Sequence, residues 1–316
     1  MYKLDKLSDE PVIFSVTDQE DGQSMTFSPD FGGNIMELKL RSDNGELISV
    51  IDGYSKPKEL KQNQAYKSSL LFPFAGRIPD GKYNYTNTEY QFNIDDDESQ
   101  AALHGCFDDH PFEIDSQDEE DDSFRVRMSS EYVGNHSGYP FHLELKLEYN
   151  LVNQRLNYRF ETINRDDCKV PVSFGIHTYF QLSEKINDLL INISADEKVE
   201  LDPDQLIPTG KTFDNKNKGR NIPIMNSKMN NVYEYSVQKG TGETRLINPK
   251  KNVSLTLSQE TGGDKLNYLI VFTSPDRKSI AIEPLSSNIN ALNTGDGLIE
   301  LDPGETFCGQ FSIMLH

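Results

Sequence analysis

The chain has 316 residues, 35% of them hydrophobic and 26% charged; that supplies a large core but no apolar run near the ~18 residues a membrane span needs. Its net charge of −20 argues against nucleic acid, whose phosphates demand clustered Lys and Arg, and weighs against phosphorylated ligands. Cys106, Cys168 and Cys308 are odd in number and form no CxxC, which fits neither a disulfide framework nor a zinc knuckle.

In chain order, Met1-Tyr2-Lys3-Leu4-Asp5 has no apolar stretch of signal type, so the expected compartment is the cytoplasm. Val12 to Val16 alternates apolar and polar residues, the period of a strand with one buried face. Lys56 to about Ser68, opened by Pro57 and carrying Leu60 and Tyr66, is the one segment that reads as a helix. Pro79-Asp80-Gly81 marks a turn after Phe72 to Ile78. From Asp95 to Asp122 thirteen acidic residues occur with no Lys or Arg. That run reads as a solvated edge that discourages aggregation, since its spacing fits no EF-hand loop.

Leu143 to Tyr149 and Val253 to Leu257 again alternate, Asp214 to Asn231 reads as an irregular excursion, and Tyr268 to Phe272 is apolar throughout, as in a strand covered on both faces. Pro303-Gly304 precedes a last strand. Many short strands, few short helices and no linker or repeat predict an all-β chain, a large antiparallel β-sandwich forming one domain over residues 1–316.

Candidate chemistry concentrates at three strand-like runs. In Pro171 to Phe180, Val172, Phe174 and Ile176 share one face while Ser173, Gly175, His177 and Tyr179 share the other. Two tiny residues beside an imidazole and a phenol suggest room for a ligand. Glu283 ends Ile280-Ala281-Ile282-Glu283, and Pro284, which has no N–H, is expected to stop the pairing there. His104 precedes Gly105, which permits a sharp bend. Arg77 either holds a ligand oxygen through forked donors or pairs with an acidic side chain. A carboxylate and an imidazole facing one cavity are a proton-transfer pair suited to neutral pH.

With Phe74-Ala75-Gly76-Arg77-Ile78-Pro79-Asp80-Gly81, Leu103-His104-Gly105, His177-Thr178-Tyr179-Phe180-Gln181-Leu182 and Ile282-Glu283-Pro284 in this order, the chain resembles the aldose 1-epimerase (galactose mutarotase) family. The resemblance implies a supersandwich with its active site on the concave face of a large sheet, and interconversion of the α and β anomers of a free hexose. It implies Glu283 as general base, His177 as general acid, and His104 and Arg77 as substrate-binding residues, with no metal and no organic cofactor. Where the family commonly places a sugar-binding aspartate, Met229-Asn230-Asn231-Val232-Tyr233 offers Asn230, which both donates and accepts. Trp is absent, so Phe74 and Tyr179 are the candidate stacking platforms. The expected partner is a monosaccharide, neither nucleic acid nor membrane, with the chain a monomer or weak homodimer.

Three alternatives stand beside this reading. A glycoside hydrolase normally needs two carboxylates flanking the bond, and Glu283 is the one well-placed candidate. A hexose-6-phosphate epimerase needs added basic residues for the phosphate. A non-catalytic carbohydrate-binding protein has no need of an acid–base pair.

Overall fold

The computed structural model describes residues 1–316 except Asp121, Val237 and Lys239. Two large antiparallel sheets dominate it. The first has nine strands, running in space from Glu113–Glu120 through Ser123–Val133, His142–Val152, Arg155–Asn164, Thr306–Leu315, Val253–Thr261, Gly240–Asn248 and Leu190–Ile193 to Ile222–Pro223. Strict alternation of buried and half-exposed residues along His142–Val152 shows why it forms: one face is apolar, the other polar.

The second sheet orders Pro208–Asp214, Glu197–Leu201, Asn230–Glu234, Tyr268–Thr273, Ile280–Leu285, Gly175–Ile176 and Leu70–Leu71, with Tyr179–Phe180 also pairing Ile280–Leu285. Tyr268–Thr273 is covered on both faces, as its continuous apolar run requires. A five-stranded sheet from Tyr2–Asp9 to Leu47–Ser49 joins the others through Phe27, edge-on to Tyr149, and a bridge between Ile51 and Phe180.

The core between the two large sheets is aromatic. Phe174 stacks on Phe160 at 4.5 Å and leans on Tyr158, which stacks on Phe311. Burying one such ring contributes roughly 1.5–3 kcal/mol, enough to fix which way its strand faces. With Phe174 and Ile176 turned into this core, Gly175, His177 and Tyr179 face the opposite surface of the second sheet.

Two expectations are corrected, one for the helices and one for Pro284. The helix covers Pro57–Gln62 alone, because Asn63 turns left-handed (φ 39°) and closes it, and a second short helix, Ala291–Thr294, follows Asn290. Pairing does not stop at Pro284: Ile280–Leu285 stays in register with Tyr268–Thr273 throughout, Pro284 opposite Leu269. Within the Asp95 to Asp122 run, Glu113, Asp115, Asp118, Glu119 and Glu120 lie on the edge strand Glu113–Glu120, a solvated edge as anticipated, with Asp121 outside the described residues. Among the described residues no helix is long and apolar enough to cross a membrane, which says nothing of strands.

Candidate active site

His177 and Glu283, 106 positions apart in sequence, meet because of strand register. Gly175 pairs with Leu285 and Tyr179 with Ala281; counting two residues inward from either pair sets His177 directly opposite Glu283. Ile282 N–H donates to the Thr178 carbonyl (3.1 Å) and Ser286 N–H to the Phe174 carbonyl (2.8 Å). The alternation therefore makes His177 and Glu283 a non-hydrogen-bonded pair, the kind whose side chains come closest. Nε2 of His177 lies 3.4 Å from Oε1 of Glu283.

Pro284 explains why two short strands flank His177. Its missing N–H falls opposite Ile176, in phase with the donors of Ile282 and Ser286, and leaves the ladder open between Gly175–Ile176 and Tyr179–Phe180. On its other side His177 is held firmly, its N–H on the Ser69 carbonyl (3.1 Å) and its carbonyl accepting from Ser68 N–H (2.8 Å). Tyr179 stacks on the imidazole at 4.9 Å and 27°.

Both members of the pair are buried, His177 at 7% exposed and Glu283 at 1%. Burial disfavours their charged forms, pushing the Glu283 carboxyl up to about 8, against a weaker opposing pull from the Arg77 charge, and the His177 imidazole down to about 4. At neutral pH the pair thus holds one proton, with the uncharged arrangement at rest. The carboxylate–imidazolium arrangement contains the same single proton, moved across the gap. Among the described residues Nδ1 of His177 and Oε2 of Glu283 are buried with no hydrogen-bond partner, which adds to the cost of charging either group.

His104 joins them edge-on, its ring 5.2 Å from that of His177. It sits at the end of Ala101–Leu103, where Leu103 pairs with Arg77, and adopts a left-handed φ of 61°. Its N–H donates to the Gly76 carbonyl (2.9 Å), while Nδ1 accepts from the Gly76 N–H (3.3 Å). That bond places the ring proton on Nε2. Burial and the neighbouring His177 and Arg77 charges hold the His104 imidazole well below its usual range, so it is a neutral donor. Gly105 follows with φ 85°, and a Cβ there would run into the Phe72 carbonyl.

Arg77 takes up the second of the two roles foreseen for it, pairing with an acidic side chain. Its Nε donates to Asp96 Oδ2 (3.1 Å) and Ser99 Oγ (3.3 Å), while its charge is felt at Glu283 and His104. Asp96, inside the acidic run, was not singled out by sequence; its carboxyl is held low through Ser99 and Arg77, against the effect of burial. Tyr66 was also missed: its ring lies 4.8 Å from His104, carried on backbone with φ 51°. Nothing in a lone tyrosine of a polar loop signals this.

The structure brings His177, Glu283, His104, Arg77 and Tyr179 together and does not bring Phe74. The Phe74 ring is 1% exposed and packs against Phe92 at 4.9 Å, inside the core, so it presents no face to a ligand. Nor do the small residues leave open space. A side chain at Gly175 would strike Leu285, and Ser173 Oγ accepts from Ser287 Oγ at 2.6 Å. Asn230 is exposed, on the same face as Glu283 but two strands away, opposite Phe272.

Residues 15–313 match the family model described as aldose 1-epimerase. A curated relative, the uncharacterized protein YihR of Escherichia coli (strain K12), is 24% identical over 262 residues, 79% of each chain. The galactose mutarotase of Homo sapiens is 28% identical over 187 residues, which are 57% of this chain and about half (52%) of the human protein. Among solved structures, a galactose mutarotase-like protein from Clostridium acetobutylicum superposes with a TM-score of 0.85 at 20% identity, covering 100% of this chain and 98% of that one. The galactose 1-epimerase of Lactobacillus acidophilus NCFM gives 0.81 at 17% identity, with the same coverage. These two likenesses establish the fold.

Proposed function

We propose, since this chain belongs to the aldose 1-epimerase family of isomerases, that it interconverts the α and β anomers of a free hexose such as glucose or galactose. The observation that carries the reading is the buried cross-strand pair of His177 and Glu283, 3.4 Å apart and sharing one proton. Opening a cyclic hemiacetal removes a proton from the anomeric hydroxyl and delivers one to the ring oxygen; closure after rotation of the aldehyde reverses both. A pair with one proton and one vacancy does this without net exchange with solvent.

In this reading Glu283 is the general base toward the anomeric hydroxyl and His177 the general acid toward the ring oxygen. Substrate binding draws the proton from the carboxyl to the imidazole, because polar contacts from the sugar stabilise the charged forms that burial disfavours. His104 Nε2–H donates to a substrate oxygen, and Arg77, its plane fixed by Asp96 and Ser99, donates to others. Asn230 stands at the far rim of the same face, where its amide both donates to and accepts from hydroxyls.

The test is the decay of optical rotation of freshly dissolved α-glucose and α-galactose with and without the protein. Acceleration by the wild type is expected, with Glu283→Gln and His177→Asn each lowering kcat by about 10²–10⁴-fold at unchanged circular dichroism. Full activity in either variant overturns the assignment of roles. Absence of acceleration with any hexose overturns the reading.

A further inference from the structure

We infer that Phe272 forms the floor on which the substrate's C–H-rich face stacks, a substrate-contacting residue beside the proton-transfer pair. The inference rests on the reading above for where the sugar sits, and deepens it. Across the second sheet, Tyr179 lies opposite Ala281, and Ala281 opposite Phe272. These three therefore share the face that carries Glu283, two residues further along the same strand.

Ala281 is the reason the two rings meet. Having no bulk between them, it lets Tyr179 and Phe272 lean together, centroids 6.4 Å apart at 85°, into a right-angled corner. One face of Tyr179 is taken by His177, its near-parallel neighbour. Phe272 meets no other aromatic ring among the described residues and stays half-buried, packed against the aliphatic patch of Val199, Val232 and Ile270. Ile270 in turn lies directly opposite Glu283.

The site is thus divided. On one side of Glu283 stand the polar groups of His177, His104 and Arg77; on the other lies an apolar surface ending at Phe272 and rimmed by Asn230. A pyranose is similarly divided between its hydroxyl edge and the C–H bonds of its ring face. An aldopyranose whose anomeric carbon is at the pair lays its C–H face on the Phe272 ring. The ligand class is an aldopyranose with a contiguous C–H patch, such as galactose and its 6-deoxy form, in which the axial O4 leaves H3, H4 and H5 together on the other face.

The test separates binding from turnover. In a Glu283→Gln background, titration calorimetry and saturation-transfer NMR are run with D-galactose, 6-deoxy-D-galactose and D-glucose. Saturation transfer is expected to be strongest at the H3, H4 and H5 protons of galactose. Adding Phe272→Leu is expected to weaken galactose binding about fivefold, the scale expected when an aliphatic side chain of similar volume replaces a stacking ring, and Phe272→Tyr to leave it within twofold. If Phe272→Leu does not fold, Phe272→Met takes its place. In the otherwise wild-type enzyme the same change should raise KM with little effect on kcat. Binding that is unchanged by Phe272→Leu, or absent for all three sugars, overturns the inference. Binding that depends on Phe272 in a wild-type protein that accelerates no mutarotation overturns the proposed activity and leaves this inference standing.

Discussion

The Glu283 carboxyl, 1% exposed and with one oxygen unpartnered among the described residues, is costly to ionise in the empty site. Its folded value of about 8 lies above its ordinary 4.5, so the folded protein keeps a proton that the unfolded chain gives up. The stability tied to that proton is complete below about pH 4.5 and is lost as pH rises through about 8. Glu283→Gln, neutral at every pH, should therefore melt higher than wild type at pH 9, by about 3 °C, with the advantage gone near pH 4.5 in a calorimetric series. For activity the window follows from the same two groups. Below about 4 both carry protons and no base remains; above about 8 neither does and no acid remains. A plot of log kcat/KM against pH should be flat between and fall on both sides. A single rise through pH 6.5 would show an ordinary histidine instead.

At the scale of elements, the site is assembled by close approaches where a side chain's bulk is forbidden. Gly175 faces Leu285, Ala75 and Leu71 with no space for a methyl group. Gly175→Ala should cost about 1–3 kcal/mol in denaturant unfolding, and lower activity more than stability alone explains, because the shift is passed to His177 two residues away. The strand period placed His177 and Tyr179 on one face correctly, since alternation is a local property of the chain. What the sequence withheld was partnership: that Ile280–Leu285 runs on past Pro284 depends on the neighbouring strand having a gap at that point. The same limit hid Phe272, whose place beside Glu283 appears once the pairing of Tyr268–Thr273 is known. Phe74, read as a platform because the chain has no Trp, proved to be core because Phe92 covers it.

Across the whole molecule, a net charge of −20 gives a negative field that repels anionic sugars over roughly 8–10 Å at ordinary ionic strength. Arg77 is the cation sensed at Glu283, and it is already engaged by Asp96. Glucose 6-phosphate should therefore be handled at least tenfold less efficiently than glucose, with the deficit shrinking as salt rises from 10 to 500 mM, each an approximate working value. Equal efficiency at low salt would point to a phosphate site. Asp96→Asn should raise KM severalfold with kcat little changed, since it loosens a guanidinium that binds rather than one that transfers protons. The sandwich architecture was legible because period two recurs from Val12 to the last strand, Thr306–Leu315. The Arg77–Asp96 pairing was not, because thirteen acids in one stretch give no clue to which of them turns inward.

Pro284 has an effect on alignment as well as on pairing. Were Ile280–Leu285 to slide by one residue, Glu283 would enter the aromatic interior. A slide of two would bring a donorless nitrogen against Thr178 or Phe174, whose carbonyls now receive N–H groups from Ile282 and Ser286. One imino acid, set opposite Ile176 where the ladder opens, acts as a phase marker for the chain, and the two ends of the proton path stay face to face because one slide buries the carboxyl and the other takes an N–H from a carbonyl that now has one.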